Sequence, residues 1–346
     1  MCPRHARPIG APRRRIWILI AMLVVVAIAS ASIAVVLTRS DKAKPKGVYF
    51  VDATTKIVEQ VKTWRKDGKK ADAEELDALA TQPFARWFTG GTQDTRGEAE
   101  AFTARAAVAD QIPILVAYNI PFRDCGSFSA GGATSDANYR AYIDALAAGI
   151  GQRRALIVVE PDAVAQIAIG CVRSDLVQGR YDDLKYAVST LRKNPRATVY
   201  LDAGNPGWIP DPAEIAGPLT LAGVGLANGF SLNVSNFQTT ASNITYGTAV
   251  SRAVGGSHFV IDTSRNGHGT YGTATDSKNW CNPPGRAPGI EPTNVTNNPL
   301  VDAYLWIKIS GESDGTCHPG DPPAGTWWPD YALGLAQAEA QDRAAA

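Results

Sequence analysis

The chain has 346 residues, a formal net charge of +1, 45% hydrophobic and 19% charged residues, enough for one large α/β domain with a tail or for two small domains. The charge is uneven, because Arg4, Arg7, Arg13, Arg14 and Arg15 all precede the first acid and the rest of the chain is mildly acidic. That excludes a basic footprint for nucleic acid and suits a neutral substrate.

Residues 1–15 read as a basic tail and residues 16–37 as an apolar run broken only by Ser30 and Ser32. Roughly 20 such residues span a bilayer, and arginines before the run place the body after it outside the cytoplasm. Ala29-Ser30-Ala31 resembles a signal-peptidase site, whereas the apolar residues 33–37 after it favour an uncleaved signal anchor. Either reading exports the body, to a cell membrane with the body outside or into the medium. A charged linker, 38–46, leads to a body at 47–346.

The body alternates. Strand-like runs fall at 48–51, 112–118, 155–160, 197–202, 229–234, 258–262 and 303–309. Helical spacing appears at 99–110, 139–150 and 181–191, and a closing helix at 330–346. Residues 266–298, rich in Gly, Pro, Asn and Thr, read as a long rim loop of the kind that usually carries function. Strand–helix alternation predicts a parallel sheet with helices outside. The length favours an irregular, TIM-like β/α barrel of about seven strands over a doubly wound sheet, with its site at the C-terminal strand ends.

Four apolar runs lead into acids: VAYNIPFRDC (116–125), LIVVEPD (156–162), VYLDAG (199–204) and AYLWIKISGESDGTC (303–317). A single Asp after a strand is commonly a helix N-cap. Several acids converging on one rim point instead to carboxylate chemistry, with sugar hydrolysis the leading case. Cys2 reads as free. Cys125, Cys171, Cys281 and Cys317 allow three pairings, of which Cys125–Cys171 and Cys281–Cys317 is the simplest, and disulfides fit an oxidising compartment. No Cys/His cluster has zinc spacing; His258, His268 and His318 stand apart, and neither metal nor cofactor is expected.

PFRDCGSFSAGG (121–132), VVEPDA (158–163), YLDAGNPGW (200–208), NVSNF (233–237), WCNPPGRAPG (280–289) and WIKISGESDGTC (306–317) together resemble glycoside hydrolase family 6, the inverting endoglucanases and cellobiohydrolases. The resemblance implies that Asp162 is the general acid, that Asp124 raises its pKa, and that Asp314 is the base or works through a water relay. It implies substrate contacts at Tyr118, Trp87, Asp202, Trp208, Asn233, Trp280, Lys308 and Glu312. Each disulfide would then pin a loop that carries a carboxylate. Two positions depart from the family pattern. Asn205 stands where histidine is usual, which puts one substrate hydrogen bond in doubt, and Ser313 in ESDGT is expected to be neutral.

The resulting expectation is an exported, monomeric endo-1,4-β-glucanase. Its competitors are an exo-acting cellobiohydrolase and a membrane-anchored glucan-binding protein without turnover; the intact Asp124, Asp162 and Asp314 argue against the last. No cellulose-binding module is read in the chain, so weak binding to crystalline cellulose is expected. The short segment 318–326 and the short span between Cys125 and Cys171 predict an open groove, not a tunnel.

Overall fold

Short runs of buried, mostly branched apolar residues set the frame. In the computed structural model, which describes residues 47–91, 94–272 and 278–345, the residues from Gly47 onward form one compact unit. The basic tail, Cys2, the apolar run 16–37 and the linker lie outside the described residues. Among the described residues, no helix is long and apolar enough to cross a membrane.

The strands are β1 (Arg86–Phe88), β2 (Ile114–Ala117), β3 (Ala155–Val159), β4 (Ala197–Asp202), β5 (Gly229–Leu232), β6 (His258–Asp262) and β7 (Val301–Leu305). They form one seven-stranded sheet in sequence order, every adjacent pair parallel. Beyond the ladders, Phe84 and Trp306 form a parallel bridge, with the Ala85 N–H donating to the Trp306 carbonyl at 3.0 Å. The sheet thus curls until its first and last strands meet at a loose seam. This is the distorted, TIM-like barrel expected from the alternation.

The helices are α1 (Lys56–Lys66), α2 (Lys70–Ala80), α3 (Thr95–Val108), α4 (Asp136–Ile150), α5 (Ala163–Ala168), α6 (Val177–Leu191), α7 (Pro212–Ala222), α8 (Thr240–Ala253) and α9 (Pro329–Ala345). Thr55, Asp94, Ser135, Asp211 and Thr239 cap α1, α3, α4, α7 and α8 through side-chain oxygens, each satisfying an otherwise orphaned N–H. Alternate strand residues serve two cores. Ile114, Val116, Leu156, Val158, Tyr200, Val260 and Leu305 fill the barrel, while Leu115, Ile157, Val199, Phe230 and Ile261 face the surrounding helices. A third core packs Ile57, Leu76, Leu335 and neighbours onto Phe84 and Trp306, so α1, α2 and α9 cover the seam.

Several strand expectations are corrected, among them 112–118 and 303–309, which become the shorter β2 (Ile114–Ala117) and β7 (Val301–Leu305). Residues 48–51 form no strand; Tyr49 makes one bridge to Ile112. The first strand is instead β1, three residues long, too short to show alternation in sequence. The expected ends of β3 and β5 also retreat by one and two residues, because Glu160 (φ 50°) and Asn233 (φ 66°) leave extended geometry.

Three acids at or just past strand ends belong to this frame. The Glu160 carboxylate accepts the N–H groups of Asn119 and Ile120 at 2.9–3.0 Å. Asp202 accepts those of Asp162 and Gly204 and the Ser231 hydroxyl. Asp262 accepts the N–H groups of Ser235, Ser264, Ile307 and Lys308. Burial outweighs these bonds and pushes Glu160 and Asp202 each up to about 7. The folded chain therefore holds protons that the unfolded chain, with carboxyls near about 4, has lost. Folding stability must then fall as pH rises from about 4 to about 7. Thermal melts should give a Tm several degrees higher at pH 5 than at pH 7.5. A flat or rising Tm over that interval would contradict the buried-acid assignment.

Candidate active site

The segments after all seven strands surround a cleft of about 810 Å³. Of the expected residues, Trp87, Tyr118, Asp124, Asp162, Trp208, Trp280, Lys308, Glu312 and Asp314 line it. Asp202 and Asn233 do not. Both are buried behind the wall. The Asn233 amide donates to the Asp262 carbonyl and accepts the Gln238 N–H, so it shapes the loop after β5. That loop reaches the cleft through Val234, Ser235, Asn236 and Gln238 instead. Asn233 has a left-handed φ, which sequence alone does not reveal.

Asp162 stands at the N-cap position of α5, yet its side chain makes no cap bond. Its backbone is left-handed at φ 72°, held by the N–H bond to Asp202 at 2.9 Å. Burial, then the charges of Asp202 and Asp124, push its carboxyl well above the usual carboxylate range. Both effects favour its protonated form.

Asp124 opens a single helical turn, Asp124–Gly126. Its carboxylate accepts the Ser129 N–H at 2.7 Å, and burial raises its pKa. Arg123, which the motif contains but to which the sequence assigns no role, anchors this loop. Its guanidinium donates to the carbonyls of Ser129 (2.8 Å) and Tyr118 (2.6 Å) and lies 4.4 Å over the Tyr118 ring. Next to Asp124, Cys125 is bonded to Cys171.

Asp314 has the opposite environment. Arg265, fully buried, holds it with two bonds of 2.8 and 3.0 Å. Lys308 Nζ stands 3.3 Å away, and the Asn282 N–H donates at 3.0 Å. Burial alone would raise the carboxyl, but Arg265 and Lys308 together hold it below the ordinary value. The Cys281–Cys317 bridge flanks this cluster. Arg265 lies in the long loop after β6, and no motif marks it in the sequence.

The aromatic walls are fixed from behind. The Trp87 indole N–H donates to the Ile307 carbonyl at 2.9 Å, and the ring meets Tyr118 edge-on at 5.2 Å. Phe128 reaches Trp280 at 6.0 Å. It also occupies the space of any side chain at residue 315, where a Cβ would lie 2.6 Å from the Phe128 Cβ. Gly315, at φ 147°, is required there.

Residues 43–339 match the model of glycosyl hydrolases family 6. The chain belongs to this family. Endoglucanase A of Cellulomonas fimi is 40% identical over 296 residues, 85% of this chain and 62% of its own length. A probable 1,4-β-D-glucan cellobiohydrolase C of Neosartorya fischeri is 33% identical over 63% of this chain and 60% of its own length. The chain thus spans less than two thirds of these curated relatives. The fold is similar, at a TM-score of 0.79 and 43% identity, to the endoglucanase Cel6 of Mycobacterium tuberculosis, crystallised with a methyl-cellobiosyl-thio-cellobioside; the match covers 86% of this chain and 99% of that one.

The charge of Asp124 contributes to the raised pKa of Asp162. In this family 6 site, Asp124→Asn should lower the pKa of Asp162 and move the alkaline limb of the kcat/KM profile to lower pH. An unmoved limb would show that Asp124 acts on Asp162 in some way other than charge.

Proposed function

We propose that the protein is an endo-1,4-β-glucanase that cleaves its substrate with inversion of configuration. One observation carries this reading: two carboxyl groups line one cleft with their pKa values pushed in opposite directions, Asp162 up and Asp314 down. Such divergence assigns acid and anion roles. Asp162 donates its proton to the glycosidic oxygen as the C1–O bond breaks. Water attacks C1 from the opposite face and gives its proton to a water relay. Both Asp314 oxygens already accept bonds from Arg265, so its part is to hold a fixed negative field near the developing positive charge. Trp87, Trp208 and Trp280 offer flat apolar faces to neutral sugar rings, and Tyr118, Lys308 and Glu312 offer polar contacts. The reaction so written calls for no cofactor.

The segment after Asp314 folds back on its own root, which supports an open groove. The Ser313 N–H bonds the Thr326 carbonyl, the Gly325 N–H bonds the Ser313 carbonyl, and Asn282 holds Asp321. One observation favours the exo-acting alternative, since Phe128 joins the loop after β2 to the loops carrying Trp280 and Gly315. Export is supported by the two disulfides and by the arginines before residues 16–37. Retention of that run gives a membrane-held monomer, and cleavage a secreted one.

Asp162→Asn should cost on the order of 10²–10⁴ in rate on unactivated glucan, and much less on substrates whose leaving group needs no proton. Equal losses on both would remove Asp162 from the acid role. On carboxymethylcellulose, viscosity should fall well before reducing ends accumulate, and proton NMR of cello-oligosaccharide cleavage should show the α-anomer first. Cellobiose release with little viscosity change would establish exo action, and a first-formed β-anomer would exclude inversion.

A further inference from the structure

Resting on the glucanase reading, we infer that Asn205 is a substrate-binding residue that presents a fixed, uncharged donor to a sugar hydroxyl beside Trp208. The Asn205 side-chain carbonyl accepts the N–H groups of Gly207 at 3.0 Å and Trp208 at 3.1 Å. Both partners can only donate, which settles the orientation of the amide. Its Nδ2 is therefore the atom turned away from the chain. Asn205 lines the cleft, and among the described residues its NH₂ group has no hydrogen-bond partner.

The surroundings fit a neutral polyol. The wall built by the loops after β4 and β5 consists of Gly204, Asn205, Gly207, Trp208, Val234, Ser235, Asn236 and Gln238 and carries no charged side chain. Every ionisable group lining the cleft, Arg123, Asp124, Asp162, Lys308, Glu312 and Asp314 among them, comes from the loops after β2, β3 and β7. Gly207 has no side chain, and this lets Gln238 close in. A Cβ at 207 would lie 2.1 Å from the Gln238 Nε2. One amide thus serves two ends, its oxygen shaping the turn that holds the Trp208 ring and its nitrogen reaching substrate. A histidine here would have a single acceptor nitrogen for the two N–H groups and a charge that changes near pH 6.5. Asparagine keeps the donor at every pH.

Asn205→Ser tests this. Its hydroxyl can still accept from the turn but is too short to reach the cleft. On cellotetraose, KM should rise about three- to ten-fold, the worth of one neutral hydrogen bond, with kcat and Tm nearly unchanged. Among monodeoxy cellotetraoses, one should bind the wild type more weakly yet bind the serine variant no worse than cellotetraose does. Asn205→Asp, which preserves both turn bonds and deletes the donor, should reproduce the KM effect if the serine variant folds poorly. An unchanged KM in both variants, or identical sensitivity to every deoxy sugar, would overturn the assignment of Asn205. Failure of the wild type to cleave cellotetraose would overturn the glucanase reading and the assignment with it.

Discussion

The site depends on carboxylates buried at strand ends and held mainly by backbone N–H groups. Glu160, Asp202 and Asp262 are each 1% exposed or less, and among the described residues none of them has a salt-bridge partner. Burying such a group is costly unless its lone pairs are filled, and here the chain's own N–H groups fill them. Each acid thereby fastens loops that would otherwise be free. Glu160 fixes residues 119 and 120 on the way to Asp124. Asp202 fixes the backbone of Asp162 itself, and Asp262 ties together the loops after β5, β6 and β7. Asp202 has a second effect: its charge sits close enough to raise the pKa of the acid whose backbone it positions. Asp202 thus contributes to both the position and, after burial, the proton affinity of Asp162.

Asp162 and Asp314 show how far environment outweighs residue type. Burial disfavours the anion at both. At Asp162 the nearest charges are also negative, so they add to the effect of burial. At Asp314 two cations and a backbone donor compensate, and the anion survives in the interior. Removing one partner of such a buried pair typically costs about 3–5 kcal/mol, because the other is left uncompensated. Arg265 is accordingly held on its far side too, over the Phe237 ring at 4.4 Å and by the Ser235 carbonyl at 2.6 Å. The anion at Asp314 is part of the packing.

Much of this is legible in the sequence because the barrel writes its strands as buried β-branched runs and its acids just after them. The ILVA of β2 and the ALIVV of β3 need no tertiary information. What is illegible is which way a side chain points once the strand ends. Glu160, Asp162 and Asn233 all have left-handed backbones, and a positive φ reverses the alternation that sequence reasoning relies on. Asn233, expected against substrate, thus lies behind the wall, as does Asp202 at the extended end of β4, while Asn205, Asn236 and Gln238 line the cleft from runs that look like connections. Arg265 is hidden for another reason. Its partner Asp314 is 49 residues away, and nothing local signals the pairing.

The loose seam frees the rim of a closed fold from even strand spacing. A fully laddered barrel would ring the site with strands at even spacing and leave a pit. Here one bridge, Phe84 to Trp306, joins the chain beside β1 to the chain beside β7, and the strands need not hold ladder spacing at the rim. The seam is sealed below by Phe84, Trp306 and the three helices over them. Above it, Trp87 follows β1 geometry while its indole bonds the Ile307 carbonyl across the gap. The same crossing leads in one direction to Lys308 and Asp314, and in the other to Tyr118 and Asp124. The break in the sheet therefore lies between the charged loop after β7 and, beyond β1, the charged loop after β2.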